Sequence, residues 1–217
     1  MTVLLVLFTL VIFLIADQVV QRVRDARLAR VTDMSQATLP SGIALAANHT
    51  WVKEEGRGIC AIGFDEFITK IVGTVETITL PRTGSMVAPD LAGAILRDGS
   101  RQLRVAFPVQ GRVVAVNPKV LKSSAVASDD PYGEGWLVKV RADHRAVWPS
   151  LRSGADAASW LRSQADLVKE FFAARVPQPV HATMYDGGEP AQASLQTLDN
   201  DAWMEFQRSF TTLPSKS

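Results

Sequence analysis

The groups best suited to binding a metal or attacking an electrophile are few in this chain: one cysteine, Cys60, and three histidines, His49, His144 and His181. A single cysteine makes neither an intrachain disulfide nor a cysteine-rich zinc site, and the histidines are far apart, with no His-x-x-x-His pair. No metal ligand set is expected. Nucleophilic catalysis needs a base oriented beside a serine or cysteine, and neither Cys60 nor Ser100 lies in a recognised nucleophile motif. Cys60, between Ile59 and Ala61, reads as a small core residue. Asp129, Asp130 and Glu134 could suggest paired carboxylates, but a solvated acidic turn explains them more simply. No glycine-rich phosphate loop follows a strand-like run. The expectation is therefore a protein with no catalytic residue, no metal and no enzymatic activity of its own.

What these residues sit in follows from composition. The 217 residues are 47% hydrophobic and 21% charged, which suits one medium globular domain with appendages. Twenty-three Lys+Arg against 22 Asp+Glu leave a formal charge of +1, without the basic excess that drives binding to phosphate backbones. Nucleic acid is not an expected partner.

The excess apolarity is at the N-terminus, where Val3 to Ala16 reads VLLVLFTLVIFLIA with no charge before Asp17. Residues 1–20 match the ~20 needed to cross a hydrocarbon core, and read as a transmembrane anchor. A cleaved signal peptide is the alternative. It is disfavoured because no basic region precedes the run and no convincing small-x-small site follows it. Arg22, Arg24, Arg27 and Arg30 then outnumber Asp25, a bias that places the following domain on the cytoplasmic side of the cell inner membrane. Residues 21–42 form a basic stem and linker, helical at first and ended by Pro40 and Gly42.

From Ile43 to Val140, short apolar runs alternate with glycine and proline, the texture of an antiparallel sandwich or barrel. Strands are expected at Thr50–Lys53, Gly58–Gly63, Gly73–Thr79, Ala92–Leu96, Gln102–Phe107, Gly111–Val116 and Trp136–Val140. A helical turn is expected over Phe64–Ile71, where Phe64, Phe67, Ile68 and Ile71 share a face. Gly133 and Gly135 are expected to turn the chain sharply, with Trp136 filling the space between sheets, and Gly111 to permit a turn.

Read in order, several segments resemble the glycine cleavage H-protein family, whose fold is a lipoyl domain. They are His49-Thr50-Trp51-Val52, Ala61-Ile62-Gly63, Val72-Gly73-Thr74-Val75 leading to Leu80-Pro81 and Gly84, Pro108-Val109-Gln110-Gly111, Val113 to Asn117, and Asp130-Pro131-Tyr132-Gly133-Glu134-Gly135-Trp136-Leu137. The resemblance covers roughly Leu45 to Leu161. It implies a mainly β fold: an antiparallel β sandwich, or barrel-sandwich hybrid, with peripheral helices. The expected organisation is the anchor, the stem, this β domain over residues 43–161 and a helical extension over 162–217.

The family's chemistry is carried by a lysine at a hairpin tip, joined through its amine to lipoate. Stepping back from Pro108 without a gap, the equivalent segment is Arg97-Asp98-Gly99-Ser100, and Ser100 stands at the lysine position. No lysine occurs between Lys70 and Lys119. Asp98-Gly99 is nonetheless a strong turn signal, because a type I′ turn requires positive φ at both central positions. Beyond it Leu103, Val105, Phe107 and Val109 alternate with Gln102, Arg104, Ala106 and Pro108, as a half-buried strand does. The hairpin is kept and the cofactor, lipoate, is not expected.

In the extension, Asp156 to Ala174 carries Trp160, Leu161, Leu167, Val168, Phe171 and Phe172 at helical spacing, ended by Val176-Pro177. A last helix starts near Asp199 or Asn200 and places Trp203, Phe206 and Phe210 on one face. These aromatics either clasp the β domain or anchor another protein, and are the candidate interaction residues. The expected function is a noncatalytic, membrane-anchored subunit or adaptor of a cytoplasmic-facing membrane complex, with other protein subunits as partners. The alternative is a carrier of one-carbon or redox metabolism that uses an unrecognised attachment site or a lipoylated partner.

Overall fold

The computed structural model describes residues 39–72, 75–99, 101–143, 151–175 and 198–213. The anchor and most of the stem therefore lie outside the described residues, as do His144 and His181. Among the described residues no helix is long and apolar enough to cross a membrane.

Ten strands and five helices follow one another in the described residues: β1 Ile43–Leu45, β2 Thr50–Gly56, β3 Ile59–Phe64, α1 Glu66–Val72, β4 Thr77–Thr79, β5 Met86–Val87, β6 Ala92–Asp98, β7 Arg101–Ala106, β8 Gly111–Val116, α2 Pro118–Lys122, α3 Ala125–Asp129, β9 Val138–Ala142, β10 Arg152–Ser153, α4 Gly154–Arg175 and α5 Asn200–Phe210. All strand pairings are antiparallel. One sheet has the order β10-β1-β2-β3-β9-β8-β5, the other β4-β6-β7. The mainly β expectation is met in this form.

Periodicity explains which faces meet. Along β7, Leu103 and Val105 are buried while Arg104 between them is exposed, and Phe107 and Val109 continue the buried row. β3 differs: Cys60 to Phe64 are all buried, so the strand is covered on both faces and reads as a continuous apolar run. The core draws Trp51, Ile62, Phe64, Phe107 and Leu137 from the sheets, Phe67 and Ile68 from α1, Val168 and Phe172 from α4, and Phe206 from α5. α4 crosses residue 161 without a break, and its buried residues belong to the same apolar cluster as the strands.

Several expectations change. Of the strand expected over Gly73–Thr79, β4 occupies Thr77–Thr79, with the Glu76 N–H already bonded to the Arg97 carbonyl of β6 at 2.9 Å, while residues 73 and 74 lie outside the described residues; the expected strand over Trp136–Val140 shifts to Val138–Ala142. Trp136 is only partly buried, with Lys139 Nζ 5.0 Å from its ring centroid, whereas Leu137 is fully buried and, among the described residues, Trp51 is the tryptophan inside. Trp51 donates its indole N–H to the Pro131 carbonyl at 2.9 Å and packs on Tyr132, tying the Asp130–Gly135 turn to β2. Gly133 and Gly135 are needed for space. A Cβ on Gly133 would lie 2.3 Å from Asp130 Oδ2, and one on Gly135 2.6 Å from the Asp130 carbonyl oxygen. Gly111 sits within β8 rather than in a turn.

Candidate functional site

Asp98 pairs with Arg101 across the β6–β7 hairpin, leaving two residues to turn the chain. The central positions are thus 99 and 100, one residue later than an Asp-Gly turn would place them. Gly99 has φ 57°, the left-handed value that a primed two-residue turn needs at its first position. Nothing lies within 4 Å of where a Gly99 Cβ would be, so the turn projects into open space. Ser100 is outside the described residues. The sequence places no lysine on either strand of this hairpin.

A second constellation lies at the other end of β7 and is entirely buried. His49 has φ 60°, a left-handed conformation tolerated better by histidine than by most residues, and its side chain is fully inaccessible. Its Nδ1–H donates to Asp65 Oδ2 at 2.8 Å, and the Asp65 backbone N–H donates to the His49 carbonyl at 3.1 Å. Asp65 Oδ1 accepts from the Ile68 N–H at 3.1 Å, so one carboxylate both caps α1 and fixes the imidazole. The ring is stacked between Phe67 at 3.8 Å and Trp160 at 4.7 Å. Its Nε2 has no hydrogen-bond partner among the described residues.

Asn48 and Thr50 complete the network. Thr50 Oγ1 donates to Asn48 Oδ1, and Asn48 Nδ2 donates to the Ala106 carbonyl, each at 2.7 Å. These bonds staple the β1–β2 turn to the end of β7. The arrangement resembles a base and its orienter, but a dyad that no solvent or substrate reaches cannot move a proton to one. Its work is positioning: it fixes α1, the β1–β2 turn and the end of the hairpin strand with respect to each other. The His49–Asp65 pair links residues sixteen apart, and spacing alone does not reveal it. The available signals are an acid at a helix start and a histidine in the segment that resembles the family.

Cys60 is buried in β3, and burial, with Glu54 and Glu55 nearby, pushes its thiol above the usual range, so it stays a protonated core group. The Tyr132 phenol is also pushed up, first by burial and then by the carboxylates of Asp65 and Glu66. Asp130 spends its carboxylate on the Gly133 and Glu134 N–H groups, and Glu134 forms an ion pair with Lys119. The acidic turn is therefore structural. Among the described residues no group of His, Cys, Asp or Glu could hold a metal ion.

The aromatics expected as possible anchors for another protein are turned inward. Phe206 and Phe210 are buried, stacked at 4.9 Å, and both meet Phe171 of α4; Phe210 also reaches Phe67. Trp203 is partly buried and donates its indole N–H to the Gln102 carbonyl at 3.3 Å. The physical reason is the high apolar gain from closing these rings over α1 and α4.

Two antiparallel sheets around one core, with a tight hairpin projecting to solvent, define a lipoyl-type β sandwich. A structure of a glycine cleavage system H protein from Mycobacterium marinum superposes with a TM-score of 0.50 at 22% identity, covering 58% of this chain and 99% of that one, which shows the fold. The family model for the glycine cleavage H-protein matches residues 44–164, and the chain belongs to that family. It is 32% identical over 110 residues to the glycine cleavage system H protein of Alteromonas mediterranea, covering 51% of this chain and 85% of that protein. The similarity to the H protein of Carboxydothermus hydrogenoformans is 28% over 130 residues, covering 60% of this chain and 99% of that protein. α5 lies beyond the residues that match the family model.

Lipoate, the group the family implies, needs a primary amine. Among the described lysines, Lys70 is paired with Glu66, Lys119 with Glu134 and Lys139 with Glu55, while Lys53 is on β2, Lys122 on α2 and Lys169 on α4. None is on the β6–β7 hairpin, so the residues present there do not fit the group.

Proposed function

We propose that this chain is a noncatalytic, membrane-anchored member of its family, serving as a subunit or adaptor of a cytoplasmic-facing membrane complex, with no lipoyl arm. One observation carries the reading: the sequence offers no lysine between Lys70 and Lys119, the stretch that contains the whole hairpin. In this reading Ser100 stands where the family mounts its cofactor, and a hydroxyl cannot form the amide that holds it. The apolar run over Val3 to Ala16 and the arginines behind it support the anchor and its orientation.

The relatives are named as H proteins of a glycine cleavage system, and a scaffold that keeps the fold without the amine retains surfaces for protein contact rather than chemistry. Native detergent extraction followed by affinity purification of the full chain tests the partnership. The expected result is recovery from the membrane fraction together with other membrane subunits in fixed stoichiometry. Recovery of the chain alone from the soluble fraction contradicts both the anchor and the adaptor role.

A further inference from the structure

The β6–β7 hairpin belongs to a sheet of three strands, in which β7 pairs on one side only and β4, the other outer strand, has three residues. So small a sheet needs packing from elsewhere to be stable. α5 supplies part of it. The Arg101 guanidinium donates to the Leu198 carbonyl and lies 5.3 Å from the centroid of the Trp203 ring, while the Trp203 indole N–H donates to the Gln102 carbonyl at 3.3 Å. Leu198, Ala202, Phe206 and Phe210 recur at every fourth position, and all four are buried in the core cluster. Leu198 and Ala202 root the end of α5 that meets the hairpin. Phe206 and Phe210 root the other end against Phe171 of α4 and, for Phe210, Phe67 of α1. Both ends of the helix are held.

We propose that α5 is a lock: it joins the hairpin to α1 and α4 as one cooperative unit, so that the order of the hairpin and the docking of the extension rise and fall together. Dependence runs both ways. A helix of 11 residues is marginal alone in water, so α5 is folded by what it docks against, and its first turn docks beside Arg101 and Gln102. The hairpin in turn takes from α5 the packing that its short sheet lacks. Segments joined in this way open as contiguous units rather than singly. α5 lies beyond the residues that match the family model, so in this chain the order of the hairpin is set partly by a segment outside that match. The lock depends on these contacts alone, and neither on the anchor nor on the missing amine.

Amide hydrogen exchange of the full chain, followed peptide by peptide by mass spectrometry, tests the lock from both sides. Peptides from β6 and β7 report the hairpin, those from α5 the extension, and those from β2 and β3 the rest of the domain. Asp199→Ala removes the carboxylate that caps α5, a bond within the helix from the Ala202 N–H to Oδ1 at 2.8 Å. It should speed exchange in α5 about fivefold, the population change that loss of an ordinary cap produces, and in the hairpin by the same factor, with β2 and β3 unchanged. Arg101→Ala acts from the hairpin side. Losing its bond to Leu198 and its place over Trp203 should speed exchange in α5 about tenfold, again with β2 and β3 unchanged. Should the arginine variant fail to fold, the cap variant alone decides. Faster exchange of α5 in Asp199→Ala beside a hairpin that keeps the parent's rate overturns the lock, because the extension is then merely laid on the core. A rise shared equally by β2 and β3 overturns it too, since the whole domain then opens at once.

Discussion

Gly111→Ala should destabilise the domain by about 3 kcal/mol or more, because the added methyl has nowhere to go. Its Cβ would lie 2.2 Å from the Arg141 carbonyl oxygen and 2.8 Å from Val140 Cγ1. The first of these atoms is backbone on β9, paired with β8 by the register Gly111↔Ala142 and Arg112↔Arg141, so relief requires the two strands to separate. β8 also pairs with β5, and the disturbance spreads to that edge of the sheet. The measurement is the urea midpoint by far-UV circular dichroism: a clear fall at unchanged slope is expected, and a parent-like midpoint contradicts the close approach.

The comparable loss comes from His49→Ala, expected to cost about 3 kcal/mol or more, because it strips a buried carboxylate of a hydrogen bond and empties the space between two stacked rings. Asp65 is fully inaccessible and would keep only its bond from the Ile68 N–H, while Phe67 and Trp160 would lose the ring stacked between them. Alanine is also poorly suited to φ 60°. Denaturant melting of the variant beside the parent checks this. A shift as small as that of an ordinary surface substitution, within about 0.5 kcal/mol, contradicts the positioning role.

The long elements were legible in the sequence because they carry a period. β8 occupies the expected Gly111–Val116, α5 is capped by Asp199 as its side-chain chemistry allows, and α4 covers the stripe from Trp160 to Phe172. β1, β5 and β10 have two or three residues each, too few to show alternation, and exist because a neighbouring strand offers them a ladder. α2 and α3, of five residues each, are likewise too short for a helical face to show; Pro118 and the Asn117 cap mark α2 only in hindsight. The hairpin tip was readable from its glycine, though one residue out of place. The His49–Asp65 pair and the grip of Trp203 on Gln102 are long-range contacts, which composition and spacing do not encode locally. Which tryptophan enters the core turned on the same kind of contact: the Pro131 carbonyl satisfies Trp51, and Trp136 is left at the rim beside Lys139.

The proposal turns on reading the β6–β7 hairpin as the family's carrier tip without an amine, and intact-mass spectrometry of the full chain purified from its native source tests it most directly. The account predicts the unmodified polypeptide mass of the full chain, with peptides across 97–104 carrying no addition. A lipoyl-sized increment mapped to any residue of the chain would contradict it.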